Sequence, residues 1–240
     1  MKYLDLTLPS PEENLACDEA LLHFCENHEE EPGALRFWES PNHFIVLGYS
    51  NKLNAEVHVE KCKTRGVPVL RRFSGGGTVV QGPGCLNYAL VMANHQLGDT
   101  LDIIASFHFV LERHRDAVAR LLGQEVQIAG ISDLAVDGVK FSGNAQYRSR
   151  NFTLFHGTFL LGFDVALIEA LLPMPSRQPH YRRARGHKDF VRNIPLGRHE
   201  LCAALKHAWQ ALAPAERFNP STVGQYVKQR YGRAEWIGKF

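Results

Sequence analysis

Three consecutive glycines, Gly75, Gly76 and Gly77, constrain this chain more than any other feature. Glycine is costly in regular structure, so three in a row imply backbone dihedrals or a close approach that side chains would forbid. They stand in RRFSGGGTVVQGPGCLNYALV, where Arg71 and Arg72 precede the loop and Gly82-Pro83-Gly84 follow one short strand later. A bulged turn between two strands accounts for the glycines alone. The arginines add a second reading, because guanidinium groups beside exposed backbone N–H groups cradle an anion or a phosphate. The spacing matches neither a P-loop nor a dinucleotide-binding G-x-G-x-x-G, which excludes both of those nucleotide sites.

The flanking patterns set the fold class. Residues 2–8 alternate as a short strand, and SPEE opens a helix with Ser10 as N-cap, Pro11 in the first turn and Glu13 completing a capping box. That helix is expected to reach about Asn27, where the acidic HEEEPG stretch ends it. LRFW and HFIVLG read as strands joined at SPN, NAEVHVEKCKTRG as a helix closed by Gly66, and VPVLRRF as a buried strand entering the glycines. The most regular helix follows Asp99 and Thr100, with Ile103, Ile104, Phe107, Val110, Leu111, Val118, Leu121 and Leu122 on one stripe. SDLAVDGVKFSG reads as a hairpin around the positive-φ pair Asp137-Gly138. NFTLFHGTFLLGF is expected to give a further strand pair, VALIEALL a short helix, and RHELCAALKHAWQAL and PSTVGQYVKQRYG the closing helices. Central strands and flanking helices predict an α+β fold with a largely antiparallel sheet.

Composition removes several classes of function. At 240 residues, 45% hydrophobic and 22% charged, the profile is that of an ordinary globular chain, and a net charge of +2 is too small to imply nucleic-acid binding. The cysteines, at 17, 25, 62, 85 and 202, form no C-x-x-C pair, which points to reduced thiols in a cytoplasmic protein rather than disulfides or structural zinc. MKYLDLTLP lacks the apolar stretch of a signal peptide, and no run approaches the roughly 18 apolar residues of a membrane span.

The hairpin presents Lys140 and Ser142 on one face, with Val139 and Phe141 on the other. A strand lysine is ordinarily a solvated outer-face residue. Here, however, KFSGNAQ continues with Ser142, Gly143, Asn144 and Gln146, a dense run of hydrogen-bonding groups. His156 in FHGTF lies between apolar segments and fits a core histidine. Cys85 is open to two readings, a nucleophile or a small semi-polar residue lining the site.

Taken together, RRFSGGGTVV, GPG-x-LNYAL, SDLAVDGVKFSGNAQ and HGTFLL resemble the catalytic domain of the lipoate–protein ligase A family, which is related to biotin ligases and octanoyltransferases. The resemblance runs from about residue 34 to 194 and is looser elsewhere. It implies a class II synthetase-like fold, with a mixed sheet flanked by helices. It also implies that a lipoate or octanoate carboxylate attacks the α-phosphate of ATP, and that the acyl-adenylate then passes its acyl group to a lysine of a carrier domain. Activation needs cations and neutral donors where charge builds up, and Arg72, Ser74, Gly75–Gly77, Thr78 and Lys140 have the right types. Lys140 is the catalytic candidate. Val79, Asn87, Ser142, Gly143, Asn144, Ala145 and His156 would line the site, and Asp133 would hold Mg2+ or the incoming amine. Val46, Leu47, Val79 and Tyr88 would wall an acyl tunnel near Gly48. The implied partner is a lipoyl carrier domain, such as a 2-oxoacid dehydrogenase E2 or the glycine cleavage H protein.

The chain also departs from the family pattern. Gln81-Gly82 stands where His-Asp is usual, and Cys85 where an asparagine is common. Neither segment in which octanoyltransferases of this kind place a nucleophilic cysteine, FTLFHG or AGISDL here, contains one. Cys85 is therefore expected to line the site rather than to attack, and ATP-dependent ligation is favoured over carrier-to-carrier transfer or a non-catalytic lipoyl-binding regulator. With the chain ending at WIGKF, a single catalytic domain over 1–240 is expected, without an accessory C-terminal domain unless a separate subunit supplies it. The basic RQPHYRRARGHKDFVRN stretch is expected either to cover the adenylate and meet an acidic carrier, or to be solvated surface.

Overall fold

The strand Cys85–Ala93 has no exposed residue, and its two faces account for the layering of the molecule. Leu86, Tyr88, Leu90 and Met92 enter one apolar cluster, while Ala89, Val91 and Ala93 enter another. This is the two-residue period of a strand covered on both sides. The structure, a computed structural model, describes residues 1–28, 33–98 and 102–240. Its strands are β1 (Lys2–Asp5), β2 (Ala34–Trp38), β3 (Phe44–Leu47), β4 (Val69–Arg71), β5 (Val79–Gln81) and β6 (Cys85–Ala93), then β7 (Gln127–Ala129), β8 (Asp133–Val136), β9 (Val139–Arg148), β10 (Phe152–Leu160) and β11 (Ala213–Pro214). The larger sheet has the order β11-β1-β2-β6-β10-β9-β8-β7 and the smaller one β4-β3-β5. In the large sheet only the β1–β2 and β1–β11 pairings are parallel. The fold is α+β with a mixed, largely antiparallel sheet.

Helices cover both faces for readable reasons. Pro11–Asn27 begins at Ser10, whose hydroxyl accepts from the Glu13 N–H while the Glu13 carboxylate accepts from the Ser10 N–H. Its buried side packs on the face that carries Ala89 and Val91. Ile103–Leu122 is capped by the Asp102 carboxylate at the Ala105 N–H, stops at left-handed Gly123, and lies with Arg198–Ala208 on the opposite face. Between Pro11–Asn27 and β2, the buried Arg36 guanidinium holds Asp18 at 2.5 Å and the Asn14 carbonyl at 2.8 Å. The small sheet alternates in the same way, with Phe44 and Val46 turned to the Pro11–Asn27 cluster and Ile45 and Leu47 to a third. No helix among the described residues is long and apolar enough to cross a membrane.

Several local expectations need correction. NFTLFHGTFLLGF does not form a strand pair: β10 is one strand of nine residues, bonded to β6 on one side and β9 on the other. His156 and Gly157 stay in register with both neighbours, and the Asn144 side chain occupies the space that a Cβ at Gly157 would need. NAEVHVEKCKTRG divides into two short helices, Leu53–Glu56 and Val59–Thr64. Asp99 and Thr100, like Glu29–Pro32 of the acidic stretch, lie outside the described residues, and Ile103 and Ile104 are exposed rather than core. PSTVGQYVKQRYG is a broken helical segment whose last part, Val227–Tyr231, has π-type bonding. The Asp137-Gly138 turn has the expected positive φ values of 53° and 70°.

Candidate active site

The two sheets meet around a cavity of about 520 Å³. Val46, Val79 and Gln81 reach it from the small sheet, Asn87, Tyr88, Lys140 and His156 from the large one, and Leu15 and Asp18 from the first long helix. A second cavity of about 140 Å³ adjoins it across Thr78, Gln81, Lys140, Thr158 and Arg182, with an apolar wall that includes Val80, Leu160, Ile168 and Leu172.

The glycine loop is held by Arg72. Its guanidinium donates to the carbonyls of Gly75 at 2.6 Å and Gly77 at 2.8 Å, so its charge is spent partly on shaping the loop. Burial pulls its pKa down to about 10, which leaves it charged at neutral pH. Gly75, Gly76 and Gly77 are exposed, and a Cβ at Gly75 or Gly77 would meet open space. Gly76 needs its freedom, with φ at +93° and the Arg72 guanidinium 2.7 Å from where a Cβ would sit. Gly48 does not line the cavity; it is the floor on which the Gly76 carbonyl rests. Arg71 belongs to no anion cradle. It is fully buried and donates to carbonyls of Gly48, Tyr49, Asn51, Trp236 and Ile237, tying the loop's base to the C-terminal segment.

Lys140 lies at the junction of the two cavities. A register shift between Leu134 and Ala135 pairs Leu134 with Ser142 but Ala135 with Lys140, leaving Phe141 as the extra residue of a bulge. Lys140 and Ser142 both face the smaller cavity, as the alternation expects, with Phe141 in the core, and Lys140 also reaches the larger cavity. The ammonium lies 2.7 Å from Asp133 Oδ1, over Gly143, where a Cβ would be 2.6 Å from Nζ. Asn144 Nδ2 donates to the Ser132 carbonyl at 2.7 Å and its Oδ1 accepts from Tyr88 at 2.8 Å, which fixes the strand beside Ala145. Asp133 fits poorly as a metal ligand. Its second oxygen accepts from Tyr181 at 2.7 Å, and no group of three or more His, Cys, Asp or Glu side chains among the described residues could hold an ion. A magnesium ion here would be carried mainly by substrate phosphates and water.

At the inner end, Ser74 Oγ and His156 Nε2 are 2.6 Å apart, and His156 Nδ1 is 3.9 Å from Asp18. Ser74 stands behind His156 and has no accessible surface. Burial, helped by the charge of Arg72, depresses the His156 pKa to about 3, so the imidazole is neutral. Arg182 lines the cavity from the basic stretch, while Asp18, Trp38, Gln81 and Thr158 line it without a signal in the sequence: each sits in a helix or strand pattern that looks structural. Leu47 is no wall either, because strand alternation turns it into the third apolar cluster.

Cys85 does not reach either cavity. It is fully buried beside Ile45, Leu47, Val80 and Phe163, and burial pushes its thiol up to about 12. The outward signal is its neighbour Asn87, whose Oδ1 accepts from Thr158 at 2.6 Å while Thr158 accepts from Gln81 at 2.7 Å.

His114 shares the depressed state of His156. It is buried, accepts from the Trp209 indole at 2.9 Å, and burial takes its pKa to about 3. Unfolded histidines bind a proton below about pH 6.5 and these folded ones do not, so stability present above that value is lost as pH falls toward about 3. At about pH 5 each should cost roughly 2 kcal/mol relative to neutral pH. Urea midpoints measured at the two pH values test this, and His114→Gln, which keeps an acceptor for Trp209, should remove about half of the loss.

Residues 10–202 match the family described as the lipoyl protein ligase A/B catalytic domain, and the chain belongs to that family. It is 30% identical over 98% of its length to a protein provisionally named lipoate-protein ligase A from Aeropyrum pernix, of which it covers 81%. It is also 28% identical to the octanoyltransferase LipM of Oceanobacillus iheyensis, over 82% of this chain and 78% of that one. Against the lipoate-protein ligase LplJ of Bacillus subtilis the identity is 32% over 65% of this chain, which spans only 44% of that relative. Among solved structures, the bi-partite lipoate protein ligase of Thermoplasma acidophilum, described with its E2 lipoyl domain, superposes with a TM-score of 0.80 at 23% identity, covering 100% of this chain and 96% of that one. A lipoate-protein ligase A bound with ATP gives 0.78 at 23% identity, with 100% and 99% coverage. The fold is that of the lipoate protein ligases.

Proposed function

We propose that this chain is an ATP-dependent lipoate or octanoate ligase. The acyl tail enters between Leu15, Trp38, Val46 and Val79, and the carboxylate comes to rest near Lys140. A carboxylate oxygen attacks the α-phosphorus of ATP, the bond to the β-phosphate oxygen breaks, and pyrophosphate leaves. Lys140 meets the charge that builds on phosphate and carboxylate oxygens, beside the glycine-loop amides held in place by Arg72. The neutral lysine of a lipoyl carrier domain then attacks the acyl carbon, releasing AMP and a proton. Magnesium travels with the ATP phosphates, and Asp133 acts on Lys140. The carrier, an accessory subunit like the one implied by a Thermoplasma acidophilum relative named lipoate-protein ligase A subunit 1, and a cytoplasmic setting complete the reading.

The observation that carries ligation over transfer is the state of the thiols. All five cysteines are buried and none lines either cavity. Burial also raises Cys17 to about 11 and Cys202 to about 11, so no thiolate is ready to accept an acyl group. Carrier acylation should therefore require ATP and release AMP and pyrophosphate in equal amounts. Efficient transfer from an acylated carrier protein without nucleotide would favour the LipM-like alternative. Cys85→Ser should keep at least about a tenth of wild-type activity, since the thiol acts only in packing. A thioester trapped on Cys85 would contradict that.

A further inference from the structure

The segment from Pro173 to Arg192 is stapled to the β8–β9 hairpin. Arg185 Nη2 donates to the Gly138 carbonyl at 2.8 Å and to the Tyr181 carbonyl at 3.0 Å, and the Arg192 N–H donates to the Lys140 carbonyl at 2.9 Å. These contacts end on backbone carbonyls and touch no catalytic side chain. Tyr181 makes a different one. Its hydroxyl donates to Asp133 Oδ2 at 2.7 Å, while Asp133 Oδ1 holds the Lys140 ammonium at 2.7 Å. The ring packs against Phe190, with centroids 5.1 Å apart, and lies close to Gly130, where a Cβ would be 3.6 Å from it.

We propose that Tyr181 is a positioning residue that couples the seating of this segment to the placement of the Lys140 ammonium through Asp133. The inference rests on the ligase reading. A carboxylate with a donor on each oxygen has one orientation, and Nζ then has one location over Gly143. Without the hydroxyl, the carboxylate turns and Lys140 can engage both oxygens, which draws the ammonium toward Asp133 and away from the reacting phosphate. Seating of the loop would thus arm the site only after substrates are covered, an arrangement that suppresses loss of adenylate to water. Burial and the Asp133 charge raise the Tyr181 pKa, which keeps the hydroxyl protonated and donating.

Tyr181→Phe keeps the ring contacts and removes only the donor. In single-turnover assays with ATP and octanoate it should form adenylate about 10–100-fold more slowly, the range for losing a hydrogen bond to a charged group. The KM values should stay within about threefold, because ground-state binding is untouched. In an Asp133→Asn background the same substitution should add little, since the tie it completes is already broken. Wild-type rates for Tyr181→Phe, a raised KM with unchanged kcat, or fully additive losses would each overturn the proposal. Adenylate from the wild type with an unaffected Tyr181→Phe removes the latch alone; no adenylate from the wild type removes the ligase reading and the latch together.

Discussion

Lys140→Ala should fold as the wild type does and be nearly inactive in adenylate formation. The ammonium lines both cavities from the β9 bulge, held 2.7 Å from Asp133 with a quarter of the side chain accessible. Asp133 keeps the Tyr181 hydroxyl as a donor after the substitution, so melting temperature should move by only a few degrees. The effect on chemistry is larger, because the contact strengthens as charge builds on phosphate and carboxylate oxygens. Removing one preorganised donor costs about 10²–10³-fold in rate, and a charged donor sets the upper part of that range. Lys140→Arg should recover little. The Lys140 side chain lies over Gly143, and a planar guanidinium does not act as the compact point charge that the ammonium provides. Rapid-quench measurement of adenylate, beside thermal melts, separates the two effects. Near-wild-type adenylation by Lys140→Ala would place the reacting centre elsewhere.

Gly48→Ala should cut activity sharply by displacing the glycine loop. A Cβ there would fall well inside 3.0 Å of the Gly76 carbonyl oxygen and 3.3 Å from the Arg72 guanidinium. Neither neighbour can yield at little cost. Arg72 is buried and already bound to the Gly75 and Gly77 carbonyls, and the base of the loop is pinned by Arg71. The loop must retreat by roughly 1 Å, a misplacement that costs about 10²-fold where reacting groups depend on alignment. Alanine at Gly77 is the control: its Cβ would meet open space, so the folded protein should keep its stability, and any loss of activity would report contact with substrate. Equal activity of Gly48→Ala and wild type would mean that loop position does not govern the chemistry.

What the sequence discloses here is local or tied to a motif. The capping box at Ser10 and the Asp137-Gly138 turn were readable because their bonds lie within three residues, and both are present. The positions of Lys140, Asp133, Gly76 and His156 in one cavity followed from the motif resemblance, since no local pattern brings Ser74 within 2.6 Å of a residue 82 positions later. Long-range burial was silent. Nothing in the helix pattern of Asp18 announces an ion pair with Arg36, and nothing around Arg71 announces that it binds the C-terminal segment while Arg72 shapes the loop. The expected strand pair over NFTLFHGTFLLGF is one strand, and a glycine required by a neighbouring side chain, as Gly157 is, looks the same in sequence as one required by a turn. The bulge at Phe141 escaped because one extra residue changes the pairing with β8 while leaving the alternation of β9 itself intact.

Incubation of the purified protein with lipoate or octanoate, ATP and magnesium, followed by mass spectrometry of the bound small molecules, tests the central claim most directly. An acyl-adenylate should form with release of pyrophosphate, fail to form in Lys140→Ala, and disappear when a lipoyl carrier domain with its acceptor lysine is added. Carrier acylation that proceeds from an acylated donor protein without nucleotide, with no acyl-adenylate detected under either condition, would contradict that claim.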